Sequence, residues 1–305
     1  MKIRIITSLF AVAIATTGLF GQNNPEQHPV FRNDGAKIAA STAKIRAVLK
    51  GNPSFSIDSV CARVPETLTE GYVGRKADLK KPLKKKLDAR KLFELCKSSS
   101  LLYCKYERTP GSQRDSAYTG ASAVALTADG ICATNYHVIA PIALSGALGK
   151  SLTGQLAQFV MDFDGYVYPV ESILYTDPIN DMAIIKVNPL DKPLTPANIG
   201  GDAVPGTPAY CLANPSGATF HFTEGMVSNA SVMSDAYTGQ YKYILDITSD
   251  YGRGASGGPV YDDCGNLIGL ISSTFSLYAR PDTYRNLQMV YKYSVPVFLI
   301  TERFE

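Results

Sequence analysis

Beyond residue 100, the apolar residues of this chain fall in short runs separated by Gly, Pro, Asn and Asp, a rhythm that predicts an all-β barrel or sandwich. The clearest runs are Leu101–Cys104, Val124–Thr127, Ile131–Ala133, Met182–Val187 and the alternating Phe220–Thr223. Asp129-Gly130 stands between the second and third, a dipeptide suited to a tight hairpin turn with positive φ. Nearer the N-terminus the period changes. Asp34 can cap a helix whose Ile38, Ile45, Val48 and Leu49 share one face and which Gly51 ends; Asp88 can cap a short one through Leu92, Phe93 and Leu95. From Asn52 to Lys86 the chain turns Pro-, Gly- and Lys-rich and reads as linker, and Val295 to Phe304 reads as a closing C-terminal helix. Met1-Lys2-Ile3-Arg4 and the apolar run Ile5–Phe20 have the form of a signal peptide rather than a membrane span, with cleavage near Gly21. No second hydrophobic span follows, so an exported protein is expected.

Candidate chemistry concentrates in Arg253-Gly254-Ala255-Ser256-Gly257-Gly258-Pro259. A serine among glycines can be a nucleophile if the backbone turns sharply and leaves its hydroxyl exposed. Gly254 permits a conformation that points two N–H groups at one spot, and Gly257 and Gly258 allow close approach. Gly-x-Ser-x-Gly alone fits two unrelated hydrolase folds or a plain turn. The three histidines, His28, His137 and His221, decide between the folds, because none follows Ser256 as an α/β-hydrolase requires. The remaining order is His, Asp, Ser: His137 in Thr-Asn-Tyr-His-Val, then Asp181 at the head of the Met182–Val187 strand. Asp177 competes with Asp181, but before Pro178 it has the setting of a turn cap. His221, in an alternating strand, reads as half-buried.

These motifs resemble those of the trypsin/chymotrypsin-like serine peptidases, most closely the HtrA/Deg-type branch. Thr134–Val138 is similar to that branch's histidine motif and Asn180–Val187 to its aspartate strand. Asn214-Pro215-Ser216-Gly217 with Glu224–Ser228 resembles its entry to the second barrel. Arg253–Pro259 with Gly265–Leu270 resembles its serine loop and the strand behind it. The resemblance covers roughly residues 92–300. It implies two six-stranded antiparallel barrels, about 92–195 and 196–305 with a seam near Pro189 to Pro205; the signal peptide (1–21) and the basic extension (22–91) before them have no counterpart in it and are read from composition. It further implies a catalytic triad of His137, Asp181 and Ser256 and an oxyanion hole from the N–H groups of Gly254 and Ser256. Asp250, Ser272, Ser273 and Thr274 would be substrate-binding. No metal or organic cofactor is implied. Ala255 stands where digestive-type relatives carry the acid that receives a freshly cut N-terminus, so that activation switch is not expected. Only 49 residues follow Ser256, so the PDZ module typical of the branch is not expected either.

Asp250, six residues before Ser256, falls where trypsin-like members hold an acid for Arg or Lys side chains. Thr274 falls where an open pocket has glycine, and argues instead for small or medium apolar side chains. On that reading Asp250 faces solvent or pairs with Arg253. Six cysteines in an exported chain permit disulfides; the resemblance favours Cys211–Cys264, with Cys96–Cys104 next and buried free thiols as the alternative. Residues 22–91 hold 15 Lys and Arg against 7 Asp and Glu, whereas residues 92–305 hold 13 against 20. The basic peak Lys80–Lys86 is read as solvated linker or as docking onto the acidic body, and no nucleic-acid module accompanies it. The expected partners are polypeptide substrates; a binding module without catalysis, or an esterase, is the rival reading.

Overall fold

The computed structural model describes residues 31–69, 77–109, 111–112, 114–234 and 239–304; the expected signal peptide and His28 lie outside them. Six strands close into an antiparallel barrel: β1 (Ser100–Arg108), β2 (Asp115–Ala125), β3 (Ile131–Thr134), β4 (Gln155–Met161), β5 (Val167–Asp177) and β6 (Met182–Val187), in the order β1-β2-β3-β6-β5-β4. The Asp129-Gly130 turn joins β2 to β3 as its chemistry predicts. Gly130 has φ +107°, and a Cβ there would lie 2.0 Å from the Val187 carbonyl oxygen, so glycine alone fits.

The second sheet comprises β7 (Asn198–Ile199), β8 (Pro208–Ala213), β9 (His221–Ser234), β10 (Tyr241–Ile247), β11 (Pro259–Tyr261), β12 (Asn266–Arg280) and β13 (Arg285–Pro296). Its order is β11-β8-β9-β10-β13-β12-β7, and the added β11–β12 pairing returns to the first strand. Six strands thus form a second circuit, with β7 appended in parallel to β12. The expected all-β, two-barrel class is the observed one. Along β1, Leu101 and Tyr103 enter one apolar cluster with Ala123 and Ile185, while Leu102 and Cys104 enter another with Phe159 and Ile184. Burial on both faces is why these strands read as continuous apolar runs.

Helices cover the first barrel. In α1 (Asp34–Gly51), Ile45 is fully buried, and Lys37 and Lys44 donate to the carbonyls of Phe163 and Gly165 at 2.8 and 2.7 Å. The segment read as linker departs from that expectation. A 3-10 turn at Pro53–Phe55 leads into α2 (Ile57–Thr69), which buries Ile57, Val60, Cys61 and Val64. Its apolar positions at helical spacing were masked by the surrounding Pro, Gly and Lys. Burying Ile57, Val60 and Val64 is worth roughly 1.5–3 kcal/mol each before entropy is counted. α2 packs on α4 (Tyr136–Ala147) where Gly146 lets the backbones meet, a Cβ on Gly146 falling 2.5 Å from both the Cys61 carbonyl oxygen and Val64 Cβ.

The basic run Lys80–Lys86 lies along the second barrel through its backbone. The Lys80 carbonyl accepts from Ile199 N at 3.0 Å, and Leu83 N–H donates to Asn266 Oδ1 at 2.7 Å. The lysine side chains stay exposed, with Lys86 reaching Asp263 at 2.7 Å. Asp88 caps α3 (Ala89–Cys96), accepting from Lys91 N at 2.9 Å. The closing helix, α5 (Phe298–Thr301), is shorter than its apolar pattern suggests, because Val295 and Pro296 belong to β13.

No disulfide forms; all six cysteines are free. Cys211 packs inside the second barrel beside Ala209, Ala213 and Val260, whereas Cys264 is half-exposed in the turn after β11, its thiol turned toward Asp263. Cys96 and Cys104 fill space as small apolar groups in one core cluster. Burial pushes the Cys96 and Cys211 thiols up to about 12, which keeps them protonated.

Because Gly146 meets backbone atoms of α2, Gly146→Ala is expected to destabilise the protein by about 1–3 kcal/mol. Gly201→Ala, where nothing lies within 4 Å, should be close to neutral. Denaturant unfolding of the two variants checks this, and equal midpoints would show that α2 does not press on α4.

Candidate active site

Chain geometry brings His137 and Asp181 together. β3 ends at Thr134, the buried Asn135 takes the N-cap position of α4 without a side-chain bond to it, and His137 sits in the first helical turn. Asn135 Nδ2 donates to the Asp181 carbonyl at 2.9 Å, fixing the backbone just before β6. Asp181 adopts φ +57°, a strained conformation for a residue with a side chain. Asp177 is the turn cap that its setting implies, accepting from Asn180 N and Nδ2 at 2.9 and 2.8 Å. His221 is exposed at the start of β9 rather than half-buried, and takes no part in this cluster.

His137 Nδ1 lies 2.9 Å from each Asp181 oxygen, and His137 N–H donates to Oδ1 at 3.0 Å. The Ser272 hydroxyl donates to Oδ2 at 2.6 Å. Burial by itself would raise the Asp181 carboxyl, but hydrogen bonds from His137 and Ser272 outweigh it and hold the group below its ordinary value. A neutral imidazole that gives its Nδ1 proton to Asp181 keeps the Nε2 lone pair free to accept another. The Ser256 hydroxyl donates to the Ser272 carbonyl at 3.4 Å, so Ser272 connects serine and aspartate through its two oxygens.

The serine loop is braced by groups from both barrels. Ser122 N–H donates to the Ser256 carbonyl at 2.8 Å, and Ser122 Oγ to the Gly254 carbonyl at 3.3 Å. A Cβ on Gly257 would fall 2.2 Å from Thr134 Oγ1 and 2.3 Å from the Ser122 carbonyl oxygen, so the first barrel touches the loop directly. Within the loop, the N–H groups of Ala255, Gly257 and Gly258 bond the carbonyls of Gly252, Ile271 and Ala255 at 3.0, 2.9 and 2.8 Å. Among the described residues, those of Gly254 and Ser256 have no partner within the chain. Ser216 explains the orientation. Its N–H and Oγ donate to the Arg253 carbonyl at 2.8 and 3.1 Å, which in a planar trans peptide points Gly254 N–H the opposite way. Gly254 has φ +94°, and a Cβ there would lie 2.8 Å from the Asn214 carbonyl oxygen. Two unengaged N–H donors beside a serine hydroxyl can receive a developing negative oxygen.

The residues expected to bind substrate divide. Ser272 belongs to the hydrogen-bond chain above. The Ser273 carbonyl accepts from the Tyr251 hydroxyl at 3.0 Å. Thr274 is exposed on β12, opposite Lys292 of β13. Asp250 is 85% exposed and pairs with Lys292 at 2.7 Å, not with Arg253. That pairing holds its carboxyl below the ordinary range. Lys292 lies 42 residues away in sequence, and no local motif marks it. Sequence reasoning likewise gave no role to Ser122, Asn135 or Tyr251, each of which acts through a backbone contact made by the fold.

A family model described as a trypsin-like peptidase domain matches residues 121–270 of this chain. The chain is 30% identical over 147 residues to "Protease Do-like 5, chloroplastic" of Arabidopsis thaliana, covering 47% of this chain and 44% of that protein. It is 31% identical over 153 residues to a "Probable periplasmic serine endoprotease DegP-like" of Bartonella henselae, covering 50% of this chain and 27% of that protein. The matched segment thus spans less than half of either relative. The crystal structure of Deg5 shares the fold, with a TM-score of 0.52 at 23% identity over 70% of this chain and 90% of that one.

Since Ser272 supplies one of the bonds that lower Asp181, Ser272→Ala should move that carboxyl upward. A lowered carboxyl stabilises the fold above its unfolded value, about 3.9, and that contribution is lost as pH falls through the folded value. The acid limb of the stability curve should therefore be shallower in Ser272→Ala and end at a higher pH. An unchanged limb, followed by fluorescence from pH 6 downward, would rule out that bond as the cause.

Proposed function

We propose that the chain is an exported serine endopeptidase that hydrolyses peptide bonds through an acyl-enzyme. One observation carries the reading: the Ser256 hydroxyl lies beside two unengaged N–H groups, on a chain of hydrogen bonds that leads to a histidine held by Asp181. Rotation about the Ser256 Cα–Cβ bond turns its hydroxyl from the Ser272 carbonyl toward His137 Nε2. Ser256 Oγ then attacks the peptide carbonyl carbon while His137 takes its proton and Asp181 stabilises the imidazolium. The carbonyl electron pair moves onto oxygen, which Gly254 and Ser256 N–H receive. As the C–N bond breaks, His137 returns the proton to the leaving amine. Water repeats the sequence on the ester, with His137 again as base, and frees Ser256.

Ala255 is buried and carries no charge, so the turn of the loop rests on the Gly252, Ala255 and Gly258 backbone and on Ser216. No new N-terminal amine is required to form it. Export is supported by the basic start and apolar run of residues 1–20.

A fluorophosphonate probe should label Ser256 in the exported protein, and Ser256→Ala should abolish both labelling and casein hydrolysis. Asp181→Asn should slow both by roughly ten-thousand-fold, because the wrong imidazole tautomer is then favoured. An unlabelled Ser256 beside a labelled control peptidase, with casein intact, would sink the proposal; labelling with ester but no peptide hydrolysis would make it an esterase. N-terminal sequencing of the exported form should begin near Gln22, and a product retaining Met1 would contradict cleavage there.

A further inference from the structure

We infer that the segment Lys80–Lys86 is a docking ridge, by which the protein sits on an anionic lipid bilayer with its lysine ammoniums against the lipid phosphates. The inference does not depend on the peptidase reading. Between Lys81 and Asp88 the chain forms no helix or strand, yet its backbone is fastened to the second barrel along its length. Ile199 N–H donates to the Lys80 carbonyl at 3.0 Å, and Asn198 Nδ2 to the Lys81 carbonyl at 2.8 Å. The Asn266 side-chain amide serves Leu83 twice, accepting from its N–H at 2.7 Å and donating to its carbonyl at 3.0 Å. Leu87 N–H closes the segment on the Asp263 carbonyl at 2.8 Å. On this fixed backbone the side chains of Lys80, Lys81, Lys84, Lys85 and Lys86 are all exposed.

The acidic body does not absorb this charge. Residues 92–305 hold 20 Asp and Glu against 13 Lys and Arg. Even so, among the described residues only Lys86 of the ridge makes an ion pair, with Asp263. Asp88, close by in sequence, is taken by Lys91. Lys80, Lys81, Lys84 and Lys85 are left to a partner that brings its own anions. Those four are spread over six residues, roughly 17 Å of chain at full stretch, too far apart to meet on one phosphate, so the partner must repeat its charge. Leu83, 38% exposed, stands with the exposed Pro82 between the two lysine pairs. Apolar groups flanked by ammoniums suit the boundary between headgroups and acyl chains, and offer nothing to a hydrated soluble polyanion. The ridge is also badly placed to collect an acidic polypeptide for Ser256. Asn266, which holds Leu83, opens β12, and Ser272 follows six residues later, roughly 20 Å along the strand. A bilayer seated on the ridge leaves the Ser256 cluster at the other end of β12.

The test is co-sedimentation of the purified protein with vesicles of phosphatidylcholine, alone or mixed with phosphatidylglycerol, at about 0.1 M salt, where exposed charges are felt over roughly 10 Å. Binding should require phosphatidylglycerol and weaken as salt rises. Lys80→Gln, Lys81→Gln, Lys84→Gln and Lys85→Gln combined should lower affinity for the mixed vesicles by roughly several hundred-fold, about five-fold for each charge removed. Lys84→Gln with Lys85→Gln alone should lower it about twenty-five-fold, and serves where the larger variant fails to fold. A control removes the same charge elsewhere: Lys50→Gln, Lys150→Gln, Arg280→Gln and Arg285→Gln, all at exposed residues outside the ridge. It should bind within about three-fold of the wild-type chain, because those residues do not face the lipid. Equal sedimentation with and without phosphatidylglycerol overturns the inference. So does an equal loss in the ridge and control variants, which would assign the binding to net charge. Lysine-dependent binding of soluble polyphosphate, with no sedimentation on mixed vesicles, overturns it too and makes the ridge a site for a free polyanion. None of these results bears on labelling of Ser256, so the peptidase reading stands or falls separately.

Discussion

The hydrogen bond from Ser272 to Asp181 joins the two barrels at the point where the chemistry is concentrated. Asp181 stands at the head of β6 in the first barrel and Ser272 on β12 in the second. A largely buried carboxylate is costly unless its oxygens are satisfied, and here His137 and Ser272 supply donors from opposite sides. The bond therefore does more than orient one side chain: part of what holds the acid's carboxyl low comes from the second barrel. Neighbouring contacts share the same dependence. Asn180 Oδ1 accepts from Tyr243 N–H of the second barrel at 2.8 Å, and Ser122 of the first barrel bonds the serine loop and Asn214 of the second. A loosened interface would disorganise Asp181, His137 and Ser256 together.

The sequence was most legible where local chemistry dictates structure. Asp129-Gly130 can form little but a tight turn, and the Asp177-Pro178 setting marks a cap. The three motifs around His137, Asp181 and Ser256 come together because each flanks a strand: His137 follows β3, Asp181 precedes β6 and Ser256 precedes β11. Strand periodicity announced the all-β class, although continuous burial on both faces erased the alternation that would have assigned each face.

What remained hidden was mostly non-local. α2 was obscured by a composition average taken over a stretch that contains both a helix and an extended segment. Its partner Gly146 looks unremarkable in sequence, and only the 2.5 Å approach of Cys61 and Val64 explains why glycine is there. Lys292 as partner of Asp250 depends on the β12–β13 register, which no spacing rule supplies. The cysteines show the reverse error: an even count in an exported chain permits bridges, but Cys211 faces a core and Cys264 a surface turn, and no count distinguishes those environments.

The N–H groups of Gly254 and Ser256 raise a different physical question, because two donors left without partners are not a free choice for a folded chain. Unmet donors in a tight loop cost energy, and a small peptide rotation would ordinarily relieve them. Here the rotation is blocked twice. Ser216, itself held at φ +42°, fastens the Arg253 carbonyl, and the Asn214 carbonyl crowds Gly254 from the side where a Cβ would lie. Ala255 takes no part through charge, so the open donors are maintained by neighbouring backbone rather than by a buried ion pair. That arrangement places the strain of the site in the Asn214–Gly217 turn, and makes the turn as much a part of the donor pair as Gly254 itself.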